Sequence, residues 1–260
     1  MRGSVGQPAL ALTIAAVLGG SLGGPEAKPL QGPSAGRATG AIWRSPTIVI
    51  RPAVVRSRRL STTDIARAAR AAALAWRQTT SCAVPTILIG PSAQGRGVAR
   101  DGINVLVVRD DTWCLGGDPK RGCYDPDSVA MTSVYRNGRE AEGGGDTIVE
   151  ADIELNFVHH RWARIVDGLD PRGVDHLDLQ NALAHEFGHV LGLSDNCVEP
   201  RKPQAPERPS CFEAIDDVRE ATMYPLGGPG QITRRTITTF DRRASCDLYD
   251  QARDGSGRRR

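Results

Sequence analysis

The chain has 260 residues, a formal net charge of +3 and a hydrophobic fraction of 40 %, which excludes a highly charged disordered polymer and allows one full apolar core. Its two dense basic clusters, Arg56 with Arg58 and Arg59, and the terminal Arg258, Arg259 and Arg260, have no interleaved aromatic residues. A nucleic-acid partner is therefore not expected.

From the amino terminus, Arg2 precedes an apolar run over residues 9–18 and small residues over 19–24, the order of a secretory signal peptide. Cleavage is expected between residues 21 and 27. The run is shorter than the roughly 20 apolar residues of a membrane span, so an exported protein without stable membrane insertion is expected. Residues 25–40 are rich in Pro, Gly, Ala and Ser and read as flexible. The expected organisation is a signal peptide over 1–27, a lead-in over 28–41, one folded domain over 42–252 and a basic, solvated tail over 253–260.

Within the domain, residues 47–50 read as a strand. Ser61-Thr62-Thr63-Asp64 has capping-box spacing and opens an alanine-rich helix through Trp76. Further strands are predicted over 84–89, 105–108, 129–135 and 148–157, where β-branched or alternating runs are separated by Gly, Asp and Pro. A helix begins near Asp178, with apolar Leu179, Ala182, Leu183, Val190 and Leu191 at helical spacing, and a last helix is predicted over 236–249.

Six cysteines, an even number, fit an oxidising compartment. Fifteen pairings are open in principle. Short separations favour Cys114 with Cys123 and Cys197 with Cys211, leaving Cys82 with Cys246. The absence of any Cys-x-x-Cys pair argues against a cysteine zinc site.

The chemistry concentrates in His185-Glu186-Phe187-Gly188-His189-Val190-Leu191-Gly192-Leu193-Ser194-Asp195. Residues four apart share a helix face, so His185 and His189 can direct ring nitrogens at one ion. Glu186 is offset to one side, in the place of a general base rather than a ligand. Gly192 suits a helix stop with positive φ that turns the chain back, and Asp195 would complete three protein ligands with one position open, as in catalytic zinc sites. In the alternative, Asp195 caps a turn with Asn196 and another group binds the metal. His176 is a poor substitute, since it precedes the helix.

This string resembles the extended zinc-binding signature of the metzincin metalloproteases, and the run from Asp178 to Ala184 resembles their matrixin branch. Ala221-Thr222-Met223-Tyr224-Pro225 resembles the matrixin Met-turn, which implies Met223 beneath the metal and a pocket wall from the residues that follow. The resemblance implies an α/β (α+β) fold: a twisted mixed sheet, a long N-terminal helix, a zinc-binding helix and a C-terminal helix. It also implies that residues 151–156 form the exposed edge strand above the cleft, with Ile153, Glu154 and Leu155 beside an extended peptide; alternation alone equally allows an ordinary central strand whose acids face solvent. Tyr224 and Pro225 would line the cleft, Tyr224 without a catalytic role.

Four departures from the matrixin pattern stand out. Position 195 is aspartate where most matrixins have histidine, which predicts less acidified metal-bound water and an altered pH profile. Pro225-Leu226-Gly227 replaces the usual Pro-x-Tyr, and structural-zinc histidines are not evident between Asp110 and Asp146. No cysteine precedes Cys82, so latency through a propeptide thiolate is not expected. Asp110, Asp111, Asp118, Asp125 and Asp127 could supply oxygen ligands to calcium, although a solvated loop is the simpler reading. Adjacent His159 and His160 are expected at the surface. Taken together, the resemblance implies a secreted, monomeric zinc endopeptidase acting on peptides or proteins. The alternative is a secreted binding or adhesion module on an inactive protease scaffold.

Overall fold

The computed structural model describes residues 41–53, 60–77, 82–137, 146–165, 175–199 and 209–257. The expected signal peptide, nearly all of the lead-in, Arg56, Arg58, Arg59 and the three terminal arginines lie outside the described residues. Strands β2 (Thr47–Pro52), β3 (Thr86–Ile89), β4 (Asn104–Arg109), β5 (Ala130–Asn137) and β6 (Thr147–Asn156) share one sheet with the short β1 (Ile42–Trp43). The pairings are parallel except for β5 with β6. The fold is thus mixed α/β with a mostly parallel sheet. Short β7 (Trp162–Ala163) and β8 (Leu177–Asp178) pair separately.

One face of the sheet is apolar because alternate residues point the same way. Ile48, Ile50, Ile87, Leu106, Ala130, Ile153 and Leu155 form that face and belong to the main core. Helix α1 (Thr62–Arg77) contributes Ile65, Ala68, Ala69, Ala72, Ala73 and Trp76, one helical stripe. Its start is fixed as the sequence suggests: Ser61 Oγ accepts from the Asp64 N–H at 3.0 Å and donates to the Asp64 carboxylate at 2.6 Å. The indole of Trp76 donates to the Ala184 carbonyl at 2.8 Å, tying α1 to helix α2 (Leu179–Val190).

The opposite face carries three acids. Glu150, Asp152 and Glu154 are all buried and alternate along β6. An extra residue in the pairing beyond Tyr135, where Arg136 faces Ile148, returns Ile148 to the apolar side. The carboxylates hold the loops above them: Asp152 accepts from the Ala99 and Val105 N–H groups, and Glu150 from those of Asp101 and Gly102. Glu154 accepts from Arg109, the Gly116 N–H and the Tyr124 hydroxyl. Burial, reinforced by Glu150, pushes the Asp152 carboxyl up to about 8 despite its two N–H bonds.

Several expectations change. Residues 151–156 do not form an exposed edge: β6 pairs with β5 on one side and with β1 and β4 on the other, and Ile153, Glu154 and Leu155 are buried. Among the described residues the long edge strands are β5, which pairs only with β6, and β3, which pairs only with β2. Alternation could not distinguish edge from interior, because hydrophobic and acidic residues alternate in β6 whether the acids face water or a covering loop. After the short α3 (Asp216–Glu220), the last helix, α4 (Thr239–Gly257), starts three residues later than predicted and runs through the expected start of the tail. Thr238 accepts from the Asp241 N–H at 3.3 Å and donates to its carboxylate at 2.7 Å, setting the start. Gly255 does not end the helix, since glycine costs a helix interior only about 1 kcal/mol. His160 is buried rather than at the surface, and burial lowers its imidazole pKa.

The three disulfides join Cys82 to Cys246, Cys114 to Cys123 and Cys197 to Cys211, the favoured pairing. They fit an oxidising compartment. Among the described residues, no helix is long and apolar enough to cross a membrane.

Two stability measurements test this frame. Cys82 and Cys246 are 164 residues apart and Cys114 and Cys123 only 9, so chain entropy predicts losses of about 5 and about 2.5 kcal/mol on removing each bridge. Urea unfolding of the two double-serine variants should show that order. Asp152 has a folded-state pKa above its unfolded value, so its stabilising effect is complete below about pH 4 and lost as pH rises through about 8. Unfolding free energies measured across this window should fall less steeply in Asp152→Asn than in the unaltered protein.

Candidate metal centre

Helix α2 is fixed at its start by Asp178, whose carboxylate accepts from the Asn181 N–H at 2.8 Å, from the Ile165 N–H at 3.0 Å and from Arg235. At its end, Gly192 has φ of 93°, its N–H donates to the His189 carbonyl, and the Leu193 N–H donates to the Gly188 carbonyl, each at 2.9 Å. This is a Schellman stop. A Cβ at Gly192 would lie 2.7 Å from the Ala41 carbonyl oxygen, so glycine is required by both conformation and space. The remaining helix carbonyls find tertiary donors: the Trp43 indole reaches Val190 at 2.6 Å and the Tyr249 hydroxyl reaches Leu191 at 2.9 Å.

The reversal carries Asp195 back over the helix. Its Oδ1 lies 3.3 Å from His185 Nε2 and 3.6 Å from His189 Nε2. Donors bound at about 2.0–2.1 Å to a tetrahedral ion stand about 3.4 Å apart, so these spacings suit one small cation. His185, His189 and Asp195 are also the one cluster of three or more candidate ligands found among the described residues. Nε2 of both histidines and Oε1 of Glu186 are buried without a hydrogen-bond partner. Such buried groups normally require one, and a metal beside the two imidazole nitrogens would meet theirs.

Carbonyl partners set the imidazole tautomers. His185 Nδ1 lies 2.6 Å from the Thr222 oxygen and His189 Nδ1 lies 2.8 Å from the Leu193 oxygen. A carbonyl can only accept, so each Nδ1 carries the proton and each Nε2 keeps its lone pair. Burial also holds the His189 pKa below its ordinary value, favouring the neutral ligand form. The acceptor for His189 is supplied by the Schellman stop itself.

Beneath the helix lies Met223, nearly buried. Gly188 makes its approach possible: a Cβ there would fall 2.1 Å from Met223 Sδ and 3.1 Å from the Trp76 ring. The turn containing Met223 is held from both sides. Asn196 donates its N–H to the Met223 carbonyl at 3.0 Å, while Asp241 accepts from the Thr222 N–H at 2.7 Å and the Met223 N–H at 3.1 Å. Asp241 therefore steadies the peptide whose Thr222 carbonyl holds His185.

Glu186 is completely buried, and burial pushes its carboxyl up to about 7 against the opposing effects of His189 and Thr132. Its Oε2 accepts from the Thr132 hydroxyl at 2.6 Å. On the ligand side, the His189 and Asp195 side chains are 10 % and 13 % exposed. Arg234 is enclosed nearby, its N–H donating to Asn181 and its guanidinium to Leu226. Burial lowers its pKa to about 10, with Asp195 opposing that shift, so it remains a cation.

Tyr224 is partly buried, with its hydroxyl 3.4 Å from the Cys211 carbonyl, and Pro225 is buried beside it. Their position beyond the Met223 turn is compatible with a wall, whereas Ile153, Glu154 and Leu155 are enclosed in the sheet. His176 is paired with Asp175 at 2.5 Å, away from the ligand cluster. Asp110, Asp111, Asp118, Asp125 and Asp127 do not gather into a comparable ligand group; Asp118 and Asp125 accept from nearby backbone N–H groups instead. Sequence reading missed Thr132, Gly188, Arg234 and Asp241. Glycine in the helix interior was the one available signal for a close approach; the bonds of Thr132 to Glu186, Arg234 to Asn181 and Asp241 to the Thr222–Met223 turn cross 18 to 54 residues of sequence.

Gly188→Ala should destabilise the protein by about 1–3 kcal/mol through overpacking. In urea unfolding, combining it with Met223→Ala should be less costly than the sum of the separate substitutions, because the second removes the clash. Additive losses would show that Met223 is not the group displaced.

No protein-family model matches this chain, and no curated protein does.

Proposed function

We propose that this protein is a metzincin-like, matrixin-related zinc endopeptidase that is exported and hydrolyses peptide bonds. The observation that carries the reading is the meeting of His185 Nε2, His189 Nε2 and Asp195 Oδ1, with Glu186 alongside on the same helix. Two neutral imidazoles and one carboxylate fit zinc in ligand type and number. When bound, zinc supplies Lewis acidity that activates water and stabilises the oxyanion of a cleaved amide.

The protein's own groups perform the remaining tasks. His185, His189 and Asp195 hold the ion, with Thr222 and Leu193 fixing the ring tautomers. Glu186 accepts a proton from the attacking water at Oε1 and returns it to the departing amine, so both hydrolysis products leave with balanced protons and no covalent enzyme intermediate is needed. The unpaired side of β5 offers backbone groups to an extended peptide, a mode that fixes direction while tolerating many side chains. Tyr224 and Pro225 form part of the wall near the reacting bond.

The decisive comparison uses a mixed peptide library with the unaltered protein and Glu186→Ala, both verified to contain one equivalent of zinc. Cleavage by the unaltered protein should fall by roughly 100-fold or more in the variant, and chelation should abolish activity until zinc is restored. Absence of cleavage by the zinc-loaded unaltered protein would favour the binding-module alternative.

A further inference from the structure

We propose that Thr132 positions the Glu186 base: its hydroxyl holds Oε2 of the carboxylate and leaves Oε1 as the oxygen available to the reacting water. This inference rests on the peptidase reading and assigns a role to a residue outside the zinc-binding string. Thr132 and Glu186 are both buried, and the hydroxyl donates to the carboxylate at 2.6 Å. That separation lies in the range of a charge-assisted bond. The partner oxygen, Oε1, has no hydrogen-bond partner in the structure.

The location makes the contact informative. Along β5, Ala130, Thr132 and Val134 occupy positions on the face that packs toward the main core, whereas Met131, Ser133 and Tyr135 pair with Glu154, Asp152 and Glu150 on the opposite face. Thr132 is thus a hydroxyl in an otherwise apolar row. Valine would supply nearly the same shape and strand preference without burying a hydroxyl. The polar atom is explained by its bond to Glu186.

A glutamate's terminal torsion is broad and nearly two-fold, so packing of the stem alone poorly fixes its carboxylate plane. One bond to a rigid strand selects an orientation. The same strand has the unpaired side assigned to substrate pairing. β5 would therefore hold the peptide through its edge and the base through its face, placing both in one frame. Thr132 is a positioning residue, since it touches the base rather than the reacting atoms.

The test compares the zinc-loaded full-length protein with Thr132→Val and Thr132→Ser, using a peptide cleaved by the unaltered enzyme. Thr132→Val should lower kcat at least about tenfold through loss of base orientation, with KM changed less than about twofold and zinc content unchanged. Thr132→Ser should recover most of kcat. Infrared bands of the Glu186 carboxylate, assigned by their loss in Glu186→Gln, should shift in Thr132→Val and return in Thr132→Ser. An unchanged kcat in Thr132→Val, or failure of serine to rescue it, would overturn the positioning role; unmoved infrared bands would overturn the bond. Lack of turnover by the unaltered protein would instead reject the peptidase reading, while the infrared comparison would separately decide whether the two side chains are coupled.

Discussion

The backbone reversal after His189 is the constraint on which the centre depends. Gly192 adopts φ of 93° and permits the paired Schellman bonds, after which Leu193 can accept from His189 and Asp195 can meet both imidazoles. These are consequences of one local geometry. A helix that continued for another turn would carry Asp195 past the histidines, and a Cβ at position 192 would collide with the Ala41 backbone. Helix termination therefore creates the third vertex of the site as well as ending an element.

Around that turn, the structure supports the histidines through groups distant in sequence. Asp241, at the start of α4, accepts from the Thr222 and Met223 N–H groups, while Thr222 holds His185. The disulfide between Cys82 and Cys246 secures the same helix to the segment between α1 and β3. Backbone carbonyls at the histidines are economical outer partners: they accept only, so they impose one imidazole tautomer without adding another titratable group. The small residue Gly188 then leaves space for Met223 below the helix.

The other side of the sheet solves a different problem. Loops must satisfy backbone N–H groups when they cover a strand, and Glu150, Asp152 and Glu154 supply acceptors along one face. Arg109 and Tyr124 provide further donors to Glu154, and the Cys114–Cys123 bridge closes the overlying segment. This polar layer explains why β6 is interior although its sequence alternates as an edge strand might. Its acids face protein backbone instead of water.

The helix-spaced histidines, the adjacent glutamate, the helix stop at Gly192 and most strand and helix locations were legible in the amino-acid order alone, because these depend on periodicity, capping and local backbone preferences. Its cysteine separations also favoured the observed disulfide pairing. Only the folded chain shows that Asp195 reaches both imidazoles, that β5 rather than residues 151–156 has an unpaired side among the described residues, and that Thr132 meets Glu186. The ligand and base contacts join residues from 6 to 54 positions apart and depend on sheet order, face and loop reversal. Local patterning can specify which residues are available, but long-range packing decides which of their atoms meet.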